Sequence, residues 1–209
     1  WDVAPGANLY AQYATAADPP AGILSTASFA NVRDNSELTT GRQIEVGTKL
    51  DFWQGKGNAT LAAYRITRKN IATEDPANRN NTLLVGEQSA RGVEASIGLQ
   101  PTAQWSIQGN LGYARARYET FNQGGVSYAG KTPTNTPRLV ANLWTSYAFT
   151  PQWQGSIGVR RVSAVYADAA NTLRWPAYTL LDLGLSYQVH RNAQLTLRVR
   201  NATNRTYAA

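Results

Sequence analysis

Alternation constrains this chain more than any other feature. From Ala193 to Val199 every odd residue is apolar (Ala193, Leu195, Leu197, Val199) and every even one is polar (Gln194, Thr196, Arg198). Successive side chains of an extended strand point to opposite faces, so a period of two predicts a strand with one greasy and one wet face. The pattern recurs at Ile44, Val46, Leu50 and Phe52, at Val93, Ala95, Ile97 and Leu99, and at Leu181, Leu183, Leu185, Tyr187 and Val189. Trp105, Ile107, Leu111 and Tyr113 share one parity, as do Leu139, Ala141, Leu143, Tyr147 and Phe149. The stretch 59–67, "ATLAAYRIT", reads in either register. No segment keeps a helical i, i+3, i+4 stripe over three turns. The prediction is an all-β chain of about nine long strands.

The connections decide between a soluble and a membrane sheet. Tight turns at 54–58 ("QGKGN"), 101–104 ("PTAQ"), 150–152 ("TPQ") and 190–192 ("HRN") alternate with long polar connections at 18–40, 69–90, 119–136 and 167–176. In an up-and-down antiparallel sheet this puts every tight turn at one end and every long loop at the other, the asymmetry of outer-membrane barrels. Large rings flank the tight turns (Phe52, Trp53, Trp105, Phe149, Trp153, Tyr187), and a second set (Tyr64, Tyr113, Tyr166, Tyr178) lies about ten residues away, one tilted strand's crossing of a membrane. Mean hydropathy is −0.39 and no apolar run suits a membrane helix, which excludes a helical membrane protein and leaves a barrel. A β-propeller shares the 40–50-residue spacing of tight turns, but it needs four short strands per period where this chain has two long ones.

The chemistry is that of binding. The chain has no Cys and no Met and opens on Trp1, so it is read as a processed or excised piece. A net charge of +7 suits anionic partners, yet no block of consecutive basic residues resembles a nucleic-acid tail, so no nucleic acid is expected. The single His190 sits in a tight turn without Cys or clustered acids, so no metal site is expected. Ser127 in "GVSYAG" lacks the strand–turn–helix context of a nucleophile elbow. The reading is no enzyme and no cofactor. With apolar positions facing lipid, parity places Glu45, Glu94, Arg160, Asp182, Arg198 and Arg200 in the lumen and turns Arg115 and Arg117 outward, near outer-leaflet lipopolysaccharide phosphates.

Several stretches, in order, resemble the C-terminal barrel half of TonB-dependent outer-membrane receptors of the siderophore type. They are "NLYAQYATAADPP" (8–20), the Gly41–Glu45–Gly47 strand of "TTGRQIEVGTKLDF", "AAYRITRKNI" (62–71), the Arg91–Gly92–Glu94 strand of "SARGVEASIGLQP", "GKTPTNTPRLVANLWTSY" (130–147) and the closing "LRVRNATNRTYAA". The resemblance implies an antiparallel up-and-down transmembrane β-barrel, with residues 1–209 an open C-terminal portion lacking the plug domain, the early strands and the last strand. It implies uptake of a small ferric siderophore as transported ligand, energised by the TonB complex through the missing N-terminal part, in the outer membrane of a Gram-negative cell. Ligand candidates are Tyr128, Tyr166, Arg174 and Trp175 on loops, with Arg160 and Arg200 below them; candidates for lumen ion pairs are Glu45, Arg91, Glu94, Asp182 and Arg198. Membrane lipid and lipopolysaccharide are the expected surroundings. A non-energised porin or adhesin barrel, and a soluble propeller or sheet protein, are the competing readings.

Overall fold

A computed structural model describes residues 1–18, 38–75, 78–123 and 125–208. In chain order the strands are β1 (Asp2–Ala4), β2 (Ala7–Asp18), β3 (Thr39–Phe52), β4 (Gly57–Asp75), β5 (Asn78–Thr102), β6 (Trp105–Thr120), β7 (Asn122–Gln123), β8 (Val126–Ser127), β9 (Leu139–Ala148), β10 (Trp153–Val162), β11 (Val165–Tyr166), β12 (Arg174–Trp175), β13 (Tyr178–His190) and β14 (Ala193–Val199). Ten of them form one antiparallel sheet in the order β1-β2-β3-β4-β5-β6-β9-β10-β13-β14, each strand hydrogen-bonded to its neighbours in that order. β7–β8 and β11–β12 are small separate ribbons in the long connections. One continuous sheet of long strands has no blades, so the propeller is excluded.

The ladders settle the parity left open at 59–67. Thr48 pairs with Leu61, Leu61 with Ala95, Ala95 with Leu111, Leu111 with Ala141 and Ala141 with Arg161. Ala59, Leu61 and Ala63 therefore share the apolar face, while Ala62 and Tyr64 take the polar one. Exposure identifies the two faces. On the apolar side Ile44 is 57 % exposed and Leu197 65 %, whereas Ala62 on the polar side is 6 % exposed. In a curved sheet the concave side shields its residues and the convex side splays them apart, so the apolar face is the convex, outer one. A row of bare Leu, Ile and Val on a convex sheet is stable only against hydrocarbon.

Two expectations change. β1 makes ten strands in the main sheet rather than about nine; it follows from Gly6, whose φ of +76 turns the chain where a Cβ would lie 2.3 Å from the Asp51 carbonyl oxygen. The connection 69–90 is not a loop. β4 and β5 continue as a paired hairpin arm, with Lys69 opposite Glu87, Ile71 opposite Val85 and Thr73 opposite Leu83. Above the membrane neither face has to be apolar, so the alternation fades while the backbone ladder persists. The connection 18–40 falls mostly outside the described residues.

Candidate functional site

The concave wall and the loop layer above it make up the candidate site. On the wall, Gly47 and Gly92 leave room that a side chain would fill: a Cβ on Gly47 would sit 2.6 Å from the Tyr10 ring, and one on Gly92 would sit 2.7 Å from the Tyr64 hydroxyl. The two tyrosines lie flat over these gaps. Tyr10 Oη donates to Glu45 Oε1 at 2.8 Å, and Gln43 Nε2 donates to Glu45 Oε2 at 2.8 Å. Tyr10, Glu45, Thr60, Glu94, Asn110 and Gly112 are among the residues around a shallow recess of about 400 Å³. Lower on the same face the Ser106 and Ser146 hydroxyls lie 2.7 Å apart and Asn142 Nδ2 donates to Asn110 Oδ1 at 2.8 Å, so the wall is polar to its foot.

The loop layer has its own small core. Tyr118 and Phe121, each 5 % exposed, pack together with ring centroids 4.7 Å apart. Tyr128 lies 5.4 Å from Phe121, and Ile71 and Ala169 close the cluster. Asn171 then sews two loops together: Thr132 N donates to its Oδ1 and its Nδ2 donates to the Thr132 carbonyl, both at 2.8 Å. Asn135 N donates to the Tyr166 carbonyl at 2.9 Å. Asp168 accepts from the backbone N–H groups of Leu173 (2.7 Å) and Thr172 (2.9 Å), with the Thr172 hydroxyl at 2.7 Å. Those donors, the Leu173 amide first and the Thr172 hydroxyl next, hold its carboxyl below the ordinary carboxylate range.

The structure gathers part of the expected ligand set. Tyr166 and Arg174 pair across β11–β12, with the Arg174 guanidinium 5.9 Å from the Tyr166 ring centre, and Trp175 follows opposite Val165. Tyr128 joins the same layer through the aromatic cluster, its ring half spent on packing. Arg160 faces the lumen from β10, opposite Asn142 and Leu180. Arg200 is exposed but lies just past the last ladder pair of β14, where the chain bends and Ala202 N donates to the Leu181 carbonyl at 2.7 Å.

The lumen ion pairs need correction. Arg91 is not in the lumen: it shares parity with Val93 and stands on the outer face between Arg65 and Arg115. Glu94 lies three positions further on, an odd step that reverses the side. Glu45, Glu94, Asp182 and Arg198 do face inward, but among the described residues none of them is in a salt bridge. Asp182 instead accepts the Asn201 backbone N–H at 2.7 Å, fixing the bend after β14. The ion pairs described are Arg68–Asp18, Lys69–Glu87 and Arg117–Glu119. Sequence reasoning missed Asn171 and Asp168, whose partners lie in loops without periodicity.

A two-faced sheet with tight turns at one end and laced loops at the other fits the wall of an outer-membrane barrel, and a family model says which. That model, the TonB-dependent receptor-like β-barrel, matches residues 1–202. The chain belongs to that family. TonB-dependent receptors of this type reside in the outer membrane of Gram-negative bacteria, and the chain is part of such a barrel wall. It is 29 % identical to the probable TonB-dependent siderophore receptor PiuA of Acinetobacter baumannii, over 96 % of this chain and 28 % of the relative. It is 30 % identical to the ferrichrome outer membrane transporter/phage receptor of Escherichia coli K12, over 81 % of this chain and 23 % of that protein. The crystal structure of PiuA superposes with a TM-score of 0.81, covering 98 % of this chain and 31 % of that one. The chain thus spans under a third of the length of these TonB-dependent relatives.

Proposed function

We propose that this chain supplies wall and ligand-facing loops to a receptor that imports a ferric siderophore, with energy delivered through the TonB complex. The observation that carries the reading is the stitched loop layer, which presents Tyr166, Arg174 and Trp175 above a polar lumen. Such chelates are commonly anionic and carry rings, so a guanidinium beside an aromatic face is the chemistry that would hold them. Glu45 and Glu94, turned inward, are suited to meet cationic side chains of a plug domain. The protein acts as receptor and transporter, not as an enzyme.

Uptake of iron-55 carried by a panel of hydroxamate, catecholate and carboxylate chelators tests this in iron-starved cells producing the full-length receptor. At least one chelate should enter only when both receptor and TonB are present. Entry that survives loss of TonB would replace the proposal with a diffusion pore. For the transported chelate, Arg174→Ala together with Trp175→Ala should weaken binding by roughly tenfold or more, the loss of one charge-assisted contact.

A further inference from the structure

One side chain breaks the polar order of the lumen wall. Among the described residues, every large apolar side chain that is paired in the main-sheet ladders and well exposed faces outward, except Trp144. Trp144 lies between Gln108 on β6 and Gly158 on β10, on the side of Asn142 and Ser146, and is 39 % exposed. Three positions further along β9, Tyr147 marks the rim of tight turns. At about 3.3 Å per residue and a tilt of about 40°, Trp144 stands about 8 Å above that rim, well below the loop layer.

Gly158 fixes how the ring sits. A Cβ there would come 2.4 Å from Trp144 Cε3 and 2.5 Å from Cζ3, so the six-membered ring of the indole takes the space of the missing side chain. The rest of the indole is presented to the lumen. Covering a glycine needs only apolar bulk, so a bare ring in a wet channel calls for a further reason. Arg160 supplies one. It points inward from β10 opposite Asn142, which makes it the diagonal neighbour of Trp144, about 7–8 Å away along the backbone and within reach of a long side chain. Arg160 is exposed and, among the described residues, in no ion pair. Asp182, opposite Gly158 on β13, accepts the Asn201 backbone N–H. A guanidinium beside an aromatic ring is also what Arg174 and Tyr166 form in the loop layer. The same chemistry therefore occurs twice, once above the lumen and once low in its wall.

We propose that Trp144 and Arg160 form a second holding point for the chelate on its way from the loops to the periplasmic exit. Ring groups of the chelate stack on the indole, and its anionic oxygens meet the guanidinium. The proposal rests on the reading of this chain as the wall of a chelate importer. Passage through a channel requires sites that bind strongly enough to be entered and weakly enough to be left. One ring and one guanidinium, against two rings and a guanidinium in the loop layer, make the lower site the weaker.

The test uses cells producing the full-length receptor and the iron-55 chelate that the unaltered receptor imports, with uptake measured separately from binding at the cell surface. Trp144→Leu keeps apolar bulk over Gly158 and removes the aromatic face. It should lower the maximal uptake rate about fivefold and leave surface binding within about twofold. Trp144→Phe should keep at least about half the rate. Arg160→Gln should slow uptake by a similar factor, and Arg160→Lys should restore part of it. Receptor levels are matched by immunoblotting of outer membranes, and vancomycin sensitivity reports whether the lumen stays sealed. Normal uptake by a well-produced Trp144→Leu receptor overturns the proposal. Slow uptake accompanied by vancomycin entry overturns it too, because the ring then seats the plug. If Trp144→Leu does not reach the membrane, Arg160→Gln decides, and an unchanged rate there is equally fatal. Absence of TonB-dependent import by the unaltered receptor would instead fail the transport reading, and this proposal with it.

Discussion

The wall and the loop layer solve the same problem by opposite means. In the wall, Ile44, Leu61, Leu111 and Leu197 all stand exposed on the convex side, and among the described residues no apolar layer covers them. Its order comes from backbone ladders, and its sidedness comes from the solvent: hydrocarbon outside, water inside. The loop layer does what soluble proteins do. It buries Tyr118 and Phe121 and ties its backbone with Asn171 and Asp168. One chain thus holds a region that needs a membrane to be stable and a region that carries its own core. Changes that strike one region should spare the other.

The largest expected break is Phe121→Ala. Emptying a buried ring site costs about 3–5 kcal/mol, and here the loss falls on the loop layer. Hydrogen exchange on the full-length receptor should show faster exchange across 118–135 and 166–175, with the ladders of β9 and β10 unchanged. Exchange that also rises throughout those strands would mean the two regions are not separable. The reciprocal break is Leu111→Arg. Leu111 lies near mid-membrane on the outer face, where a charge costs about 2–4 kcal/mol. One residue away, Asn110→Arg turns the same group into the wet lumen and should cost at most about 1 kcal/mol, the loss of its bond from Asn142. Urea unfolding of the reconstituted receptor separates them; equal costs would contradict the assignment of faces.

The wall was readable and the loop layer was not, for a physical reason. A strand between hydrocarbon and water must alternate, so Leu195–Leu197–Val199 and Val93–Ala95–Ile97 announce themselves. Where both faces are wet the constraint disappears: β4 and β5 run on through 69–75 and 78–87 without a legible period, and a loop was expected there. Arg91 shows a different failure. Arg91 was counted among the lumen ion pairs beside Glu94, although counting parity from Val93 turns Arg91 outward beside Arg65 and Arg115. Arg200 was counted by parity past the point where the Asp182–Asn201 bond ends the strand. Asn171 lies 39 residues from Thr132, and no local pattern announces a contact at that range.

Asn171 sharpens the comparison within the loop layer. Its φ of +62 lies in the left-handed region, and its amide bridges to Thr132. Asn171→Gly keeps the backbone freedom and removes the amide, leaving the Thr132 N–H and carbonyl without that partner, at a cost of about 1–3 kcal/mol. Asn171→Ala removes both and should cost more. If the two variants cleave equally fast under limited proteolysis of the 128–135 loop, the backbone conformation contributes nothing there.

The smallest effect tests the layer with protons. Asp168 accepts two backbone N–H groups and a hydroxyl, and these lower its carboxyl below the ordinary value of 3.8. A carboxyl lowered in the folded state contributes stability that is fully present above that ordinary value. The contribution disappears as pH falls through the lowered one. Exchange at the Thr172 and Leu173 amides, corrected for its intrinsic pH dependence, should therefore stay flat from pH 7 to about 5 and rise only below about pH 4. In Asp168→Asn the titrating group is gone, so the same amides should exchange faster at neutral pH and show no step on acidification. The amides of β9 and β10 carry no such group and should not respond in this window in either protein. A step of equal size in the wall would mean that acid loosens the whole molecule, and the loop layer would lose its claim to a separate stability.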